Sequence, residues 1–165
     1  MTYRHLVVAI IGMLATFVLA PGSAHAACAP LSLCSCTASA TALNFGNYDP
    51  LSGADDDSTG VVDVRCTLAV ALSGSFTVNL STGGSGSYTA RRLQNGSSHL
   101  LYNIYTDSTR SQVWGNGTGG SAQVSRSFAG LLLVDRSLTV YGRIAAGQNV
   151  PAGSYGDTIL VTVTY

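Results

Sequence analysis

Four cysteines, Cys28, Cys34, Cys36 and Cys66, are the residues whose type and spacing first suggest chemistry. Thiolates either ligate a metal or close disulfides. A structural zinc site is built from paired Cys-x-x-Cys units or from nearby histidines, and this sequence has neither beyond the leader described below. An even number of cysteines suits disulfides in an oxidising compartment. Four cysteines allow three pairings. In an extended segment, residues two apart project in parallel about 6.5 to 7 Å from each other, so Cys34 and Cys36 do not bond easily to one another. One of them therefore takes the distant Cys66. The favoured arrangement is Cys36 with Cys66 and Cys28 with Cys34, the latter closing a small loop around Ala29-Pro30-Leu31, but the residues alone leave the pairing open.

Catalytic groups are scarce. Beyond the leader, His99 is the sole histidine, it follows Ser97-Ser98 as a solvent-facing residue would, and nothing near it resembles a nucleophile elbow. Glutamate is absent and most aspartates fall in turns, so a buried carboxylate pair for glycoside hydrolysis has no obvious source. No enzyme, cofactor or metal site is expected. Asp55-Asp56-Asp57 carries the oxygens calcium prefers but lacks the spaced ligands and glycine of an EF-hand loop, and reads as a solvated loop. Trp114 with Tyr102, Tyr105 and Tyr141 would suit a sugar-stacking platform, which makes a secreted carbohydrate-binding β-sandwich module the alternative function. Aromatic residues on strands more often pack in the core. Leu131-Leu132-Leu133 would suit an adhesive loop if exposed; a short buried strand is the favoured expectation.

The elements that position these residues are strands. The chain has 8 Lys+Arg and 8 Asp+Glu, all of them Arg and Asp, while Gly, Ser and Thr number 19, 20 and 16, a poor alphabet for helix surfaces. Net charge is zero, so there is no electrostatic footprint for nucleic acid. Residues 1–26 read as a secretory signal peptide: Arg4 and His5, an apolar run from Leu6 to Ala20, then the small-x-small site Ala24-His25-Ala26. Residues 27–165 suffice for one domain. Alternation recurs between turn clusters. Thr37 to Phe45 is extended; Val62, Val64, Cys66 and Leu68 share one face; Phe76, Val78 and Leu80 repeat the pattern. Asn95-Gly96 marks a hairpin before Leu100 to Tyr105. Val124 to Phe128, Leu138 to Ile144 and a last strand from Asp157 to Tyr165 follow.

That last strand is strongly alternating, with Ile159, Val161, Val163 and Tyr165 on one parity. Such a strand ordinarily has partners on both sides, because an exposed apolar edge invites aggregation. Either the fold is closed and the strand merely terminal, or a strand is missing and another chain supplies it. Alternation does not choose between these.

Five co-linear segments carry a family resemblance. Cys36 to Pro50 (CTASATALNFGNYDP), Thr59 to Thr67 (TGVVDVRCT), Leu101 to Asp107 (LYNIYTD) with Val113-Trp114-Gly115, Val140 to Ile144 (VYGRI), and Gly153 to Tyr165 (GSYGDTILVTVTY) together resemble the spore coat protein U domain of archaic chaperone-usher pilins. The resemblance implies an all-β fold, an incomplete immunoglobulin-like β-sandwich lacking its last strand and completed by a donated strand. It implies a structural subunit of a pilus or surface coat, with a periplasmic chaperone, an outer-membrane usher and other pilin subunits as partners. Its route would be the periplasm and then the cell surface. By the same resemblance, Cys36–Cys66 would join the first two strands, and Ile159, Val161, Val163 and Tyr165 would form the chaperone and strand-pairing edge, the terminal carboxylate lying against the chaperone. The sequence departs from the family in one respect. A polymerising subunit carries a donor strand ahead of its first conserved cysteine, whereas here Ala27 to Ser35 contains Pro30 and the expected Cys28–Cys34 loop. A subunit that accepts a strand without donating one would sit at a tip or terminate a fibre.

Overall fold

The computed structural model describes residues 6–10, 26–27, 34–70 and 72–165. Among these, the strands are β1 (Leu6–Ile10), β2 (Ala26–Ala27), β3 (Cys34–Ala40), β4 (Asp56–Leu68), β5 (Leu72–Leu80), β6 (Arg91–Asn95), β7 (Ser98–Tyr105), β8 (Val124–Gly130), β9 (Leu133–Ile144) and β10 (Asp157–Thr164). They form a four-stranded sheet in the order β1-β10-β5-β8 and a six-stranded sheet in the order β2-β3-β4-β9-β7-β6. Every neighbouring pair is antiparallel. The all-β expectation therefore holds.

Side-chain parity builds the core. On β4, Val62, Val64, Cys66 and Leu68 are buried while Asp63, Arg65 and Thr67 alternate outward. Phe76, Val78 and Leu80 of β5 and Leu138, Val140 and Ile144 of β9 are buried as their spacing predicts. Val134 extends the inward parity of β9. Each such side chain contributes roughly 1.5–3 kcal/mol of transfer free energy. Asn95 ends β6 and Gly96, at φ 57°, turns the chain into β7, the conformation a tight hairpin requires and glycine adopts without strain.

Two of the boundaries that differ from expectation bear on the core. The first extended segment ends as a strand at Ala40, and the chain from Thr41 crosses the inner face of the larger sheet instead. Leu43 and Phe45 lie over Gly142 of β9, where a Cβ would come within 2.3 Å of Leu43 Cδ2, so only a glycine admits the crossing. The second boundary is β9, which starts at Leu133 rather than Leu138 because its pairing with β4 runs on to Thr67.

Candidate functional site

The outward edge of β10 is fixed at its start, middle and end. At the start, Asp157 is buried. Its Oδ1 accepts the N–H groups of Gly84 (2.9 Å) and Thr158 (2.8 Å), and its Oδ2 accepts the Tyr102 hydroxyl (2.8 Å). Gly83 makes this possible: it sits at φ 65°, and a Cβ there would fall 2.0 Å from Asp157 Oδ2. Burial, then the Asp157 charge and its hydrogen bond, hold the Tyr102 hydroxyl far above the usual phenol range. Paired main-chain bonds between Gln94 and Gly156, at 2.8 and 3.1 Å, tie the approach to β10 onto β6.

In the middle, the main chain of Leu160 is committed to the β5 side. Its N–H donates to Ser81 Oγ and its carbonyl accepts the Ser81 N–H, both at 2.9 Å. Because main-chain groups alternate direction along a strand, those of Ile159 and Val161 point the other way, to the outward edge. Their side chains are buried in the core. Beneath Ser81 lies the fully buried Arg91. Its guanidinium donates to the Ser81 carbonyl from Nε (3.2 Å) and Nη2 (2.7 Å), to the Trp114 carbonyl (2.8 Å) and to Asn103 Oδ1 (2.9 Å), and it stands 5.3 Å from the Tyr88 ring centroid. Burial pulls its pKa below the ordinary arginine value.

At the end, Val163 and Tyr165 are half-buried against the core. The Tyr165 hydroxyl accepts the Cys36 N–H (3.1 Å) and donates to the Cys36 carbonyl (3.4 Å), joining the last residue to β3 of the other sheet. The outward edge carries β1: Leu6 pairs with Val161, Val8 with Ile159 and Ile10 with Asp157. Beyond the Asp157 end opens a cavity of about 790 Å³, lined by Phe45, Tyr48, Leu93, Leu100, Ile144 and Tyr155 among others.

The expected residues are distributed as follows. Cys36 and Cys66 are disulfide-bonded with Cα atoms 4.0 Å apart, directly opposite one another on β3 and β4. Cys34 is also disulfide-bonded, and Cys28 lies outside the described residues. Ile159, Val161, Val163 and Tyr165 share the inward face of the last strand, the first two buried and the last two half-buried. The sugar platform is not assembled: Trp114 and Tyr102 are 1% and 4% exposed, and the Trp114 indole donates to the Val78 carbonyl at 3.0 Å. The buried-strand expectation for Leu131-Leu132-Leu133 is overturned. Leu131 and Leu132 form the β8–β9 turn and Leu133 opens β9; they are 61%, 66% and 48% exposed, because at this end of the hairpin no second layer covers them. His99 is exposed.

Two residues of the acidic run, Asp55 and Asp57, stay at the surface and are paired, while Asp56 is half-buried. Asp57 meets Arg143 (2.7 Å) and Arg110 (3.1 Å), and Asp55 meets Arg143 (3.1 Å). The Arg143 hydrogen bond holds the Asp57 carboxyl below its usual value. Sequence reasoning passed over Arg91 and Asp157. Both carried a readable signal, since each shares parity with inward apolar neighbours, Leu93 for the arginine and Ile159 and Val161 for the aspartate.

Residues 23–162 match the Spore Coat Protein U domain, about five-sixths of the chain by those bounds. The chain belongs to the Spore Coat Protein U domain family. A relative within reach of direct alignment is Protein U of Myxococcus xanthus, 37% identical over 132 residues that cover 74% of this chain and 71% of that protein. Among solved structures, this Spore Coat Protein U domain resembles a chain in the chaperone–tip adhesion subunit pre-assembly complex of the archaic chaperone-usher Csu pili of Acinetobacter baumannii. The TM-score is 0.55 at 22% identity, covering 81% of this chain and 40% of that one. That likeness shows a shared two-sheet β fold. Family membership points to a structural, non-enzymatic protein.

Proposed function

We propose that this chain is a secreted structural subunit of an archaic chaperone-usher pilus or surface coat, and that the outward edge of β10 accepts a donated strand. The observation that carries the reading is the edge itself. Ile159 and Val161 present main-chain groups outward while their side chains fill the core, so an incoming strand gains hydrogen bonds and register together. The first partner would be a periplasmic chaperone, followed at an outer-membrane usher by the N-terminal segment of another pilin subunit. Family membership supports this, as does the fold shared with a chain of a solved complex between a chaperone and a tip adhesion subunit. The chain would pass through the periplasm and finish at the cell surface, with no cofactor.

Ala27 to Ser35, with Pro30 inside the expected Cys28–Cys34 loop, makes a poor donor strand, and this favours a tip or terminating position. The alternative of a carbohydrate-binding module loses its main argument once Trp114 and Tyr102 are buried.

Co-expression of the whole chain with the chaperone encoded beside it tests the proposal. A stable one-to-one complex, with this chain degraded or aggregated when the chaperone is absent, is the expected result. A soluble monomer that folds cooperatively and ignores the chaperone would overturn it. A polar tag placed directly after Tyr165 should reduce capture, since it moves the terminal carboxylate and crowds the bond from Cys36 to the Tyr165 hydroxyl.

A further inference from the structure

The sandwich has a second open side, away from β10. Among the described residues β8 ends the four-stranded sheet, and β7 pairs with β9 only between Tyr141 and Ile144, so β8 and the first half of β9 border an opening between the sheets. The two edges share a cavity of about 670 Å³, lined by Gly74, Ser127, Phe128 and Arg136 among others. We propose that Arg126 and Arg136 close this side to strand addition and so direct a donated strand to β10. The inference rests on the reading of β10 as an acceptor and adds the residues that set its specificity.

The position of the two arginines carries the argument. Arg126 stands between Val124 and Phe128 on the inward parity of β8, opposite Phe76. Arg136 stands between Val134 and Leu138 on the inward parity of β9, opposite Val64. The flanking apolar side chains are buried, whereas both arginines are exposed, so their long side chains leave the core and run out past the edge. Neither forms an ion pair among the described residues. Each guanidinium is spent on a carbonyl instead.

Those carbonyls are the ones an incoming strand would use. In β5 the Ser81 N–H donates to Leu160 and the Leu80 N–H to Gly115, so alternate residues face β10 and β8 in turn. Phe76 and Val78 face β8, their partners Arg126 and Val124 face back, and Ser125 and Ser127 are left facing the free edge. Likewise the Leu68 N–H donates to the Leu132 carbonyl; in step with it Val64 and Cys66 face β9, while Asp135 and Ser137 face away from β4. Arg126 Nη1 donates to the Ser125 carbonyl and Arg136 Nη1 to the Asp135 carbonyl, both at 2.9 Å. A strand adding here has to displace two charge-assisted bonds and set its apolar side chains against two cations. The β10 edge is the converse, with Ile159, Val161 and Val163 at the inward positions.

The test compares the full chain, exported with its leader and co-expressed with the chaperone, with its Arg126→Thr/Arg136→Thr variant. Threonine suits a strand and removes the cation without adding a large apolar surface. The parent complex should stay one-to-one at about 100 µM, whereas the variant complex should pair through its opened edges and associate about tenfold more tightly in sedimentation. Amide exchange at Ser125, Ser127, Asp135 and Ser137 should slow on the order of tenfold as the variant associates, and not in the parent. Arg126→Lys/Arg136→Lys keeps both charges and should behave as the parent does.

A threonine variant that stays one-to-one, with these amides exchanging as in the parent, would overturn the proposal, and so would association that leaves the amides unchanged. Should the double variant not fold, each single substitution is read at the amides of its own strand. The two readings fail differently. If the chaperone holds both chains one-to-one, the role of the arginines fails and the acceptor reading stands. If the chaperone captures neither, the acceptor reading fails; the chain is then a self-sufficient monomer, and the same comparison made on it reads the arginines directly.

Discussion

Leu132 has φ 73°, in the left-handed region that costs a residue with a Cβ about 1–2 kcal/mol, and its side chain is largely exposed. Leu132→Gly should therefore stabilise the fold by roughly 0.5–1 kcal/mol, the relief of strain being partly offset by the greater freedom of glycine in the unfolded chain. Urea unfolding measures this; a loss of stability would mean that the leucine packs against something. Arg91 is the opposite case. Arg91→Ala leaves the carbonyls of Ser81 and Trp114 and the Asn103 side chain without their donor, and should cost about 3 kcal/mol or more. A cost under about 1 kcal/mol would mean that water replaces the guanidinium. Single residues were unevenly legible in the sequence. Val62, Val64 and Cys66 could be placed by parity, but an apolar run such as Leu131–Leu133 reads alike whether buried or not. Its exposure depends on where the β8–β9 turn falls.

Among the elements, β3 depends most on covalent links, since Cys34 and Cys36 are both disulfide-bonded. It lies between the two-residue β2 and β4, and Cys36 is bonded to Cys66 across a sequence separation of 30. Replacing both cysteines by serine should lower stability by about 3–4 kcal/mol, the loop-closure value for such a separation. Because Cys36 also supplies both main-chain partners of the Tyr165 hydroxyl, the double variant should speed amide exchange at Cys36 more than at Val140 on β9. Uniform acceleration across the sheets would show that the disulfide acts only through the unfolded chain. Strand existence was legible from alternation and turn dipeptides. Strand ends were not: β9 continues to Leu133 through its pairing with β4, a partner some seventy residues away that local pattern does not name.

On the scale of the whole molecule, the charges of this neutral chain are concentrated where distant segments meet. Asp57 of β4, Arg143 of β9 and Arg110 of the loop after β7 form one surface cluster, a pairing of the acidic run with distant arginines that local pattern does not reveal. The Asp57 carboxyl lies below its usual value of 3.8, chiefly through the Arg143 hydrogen bond. Asp107 is also depressed, first by the Ser111 N–H and then by the Thr109 hydroxyl. A carboxyl depressed in the folded state stabilises it fully above 3.8, and that contribution disappears as pH falls through the folded value. The urea midpoint should therefore hold down to about pH 5 and fall as the pH drops through 3.8 toward about pH 2. In Asp57→Asn the fall should be smaller, with the remainder left to Asp107. Because the cluster is solvent-accessible, about 1 M salt should weaken the Arg143 share while leaving the short-range Asp107 bonds largely intact. An Asp57→Asn chain with the parent's full acid dependence would assign the effect to other carboxyls and reduce the cluster to a surface feature without energetic weight.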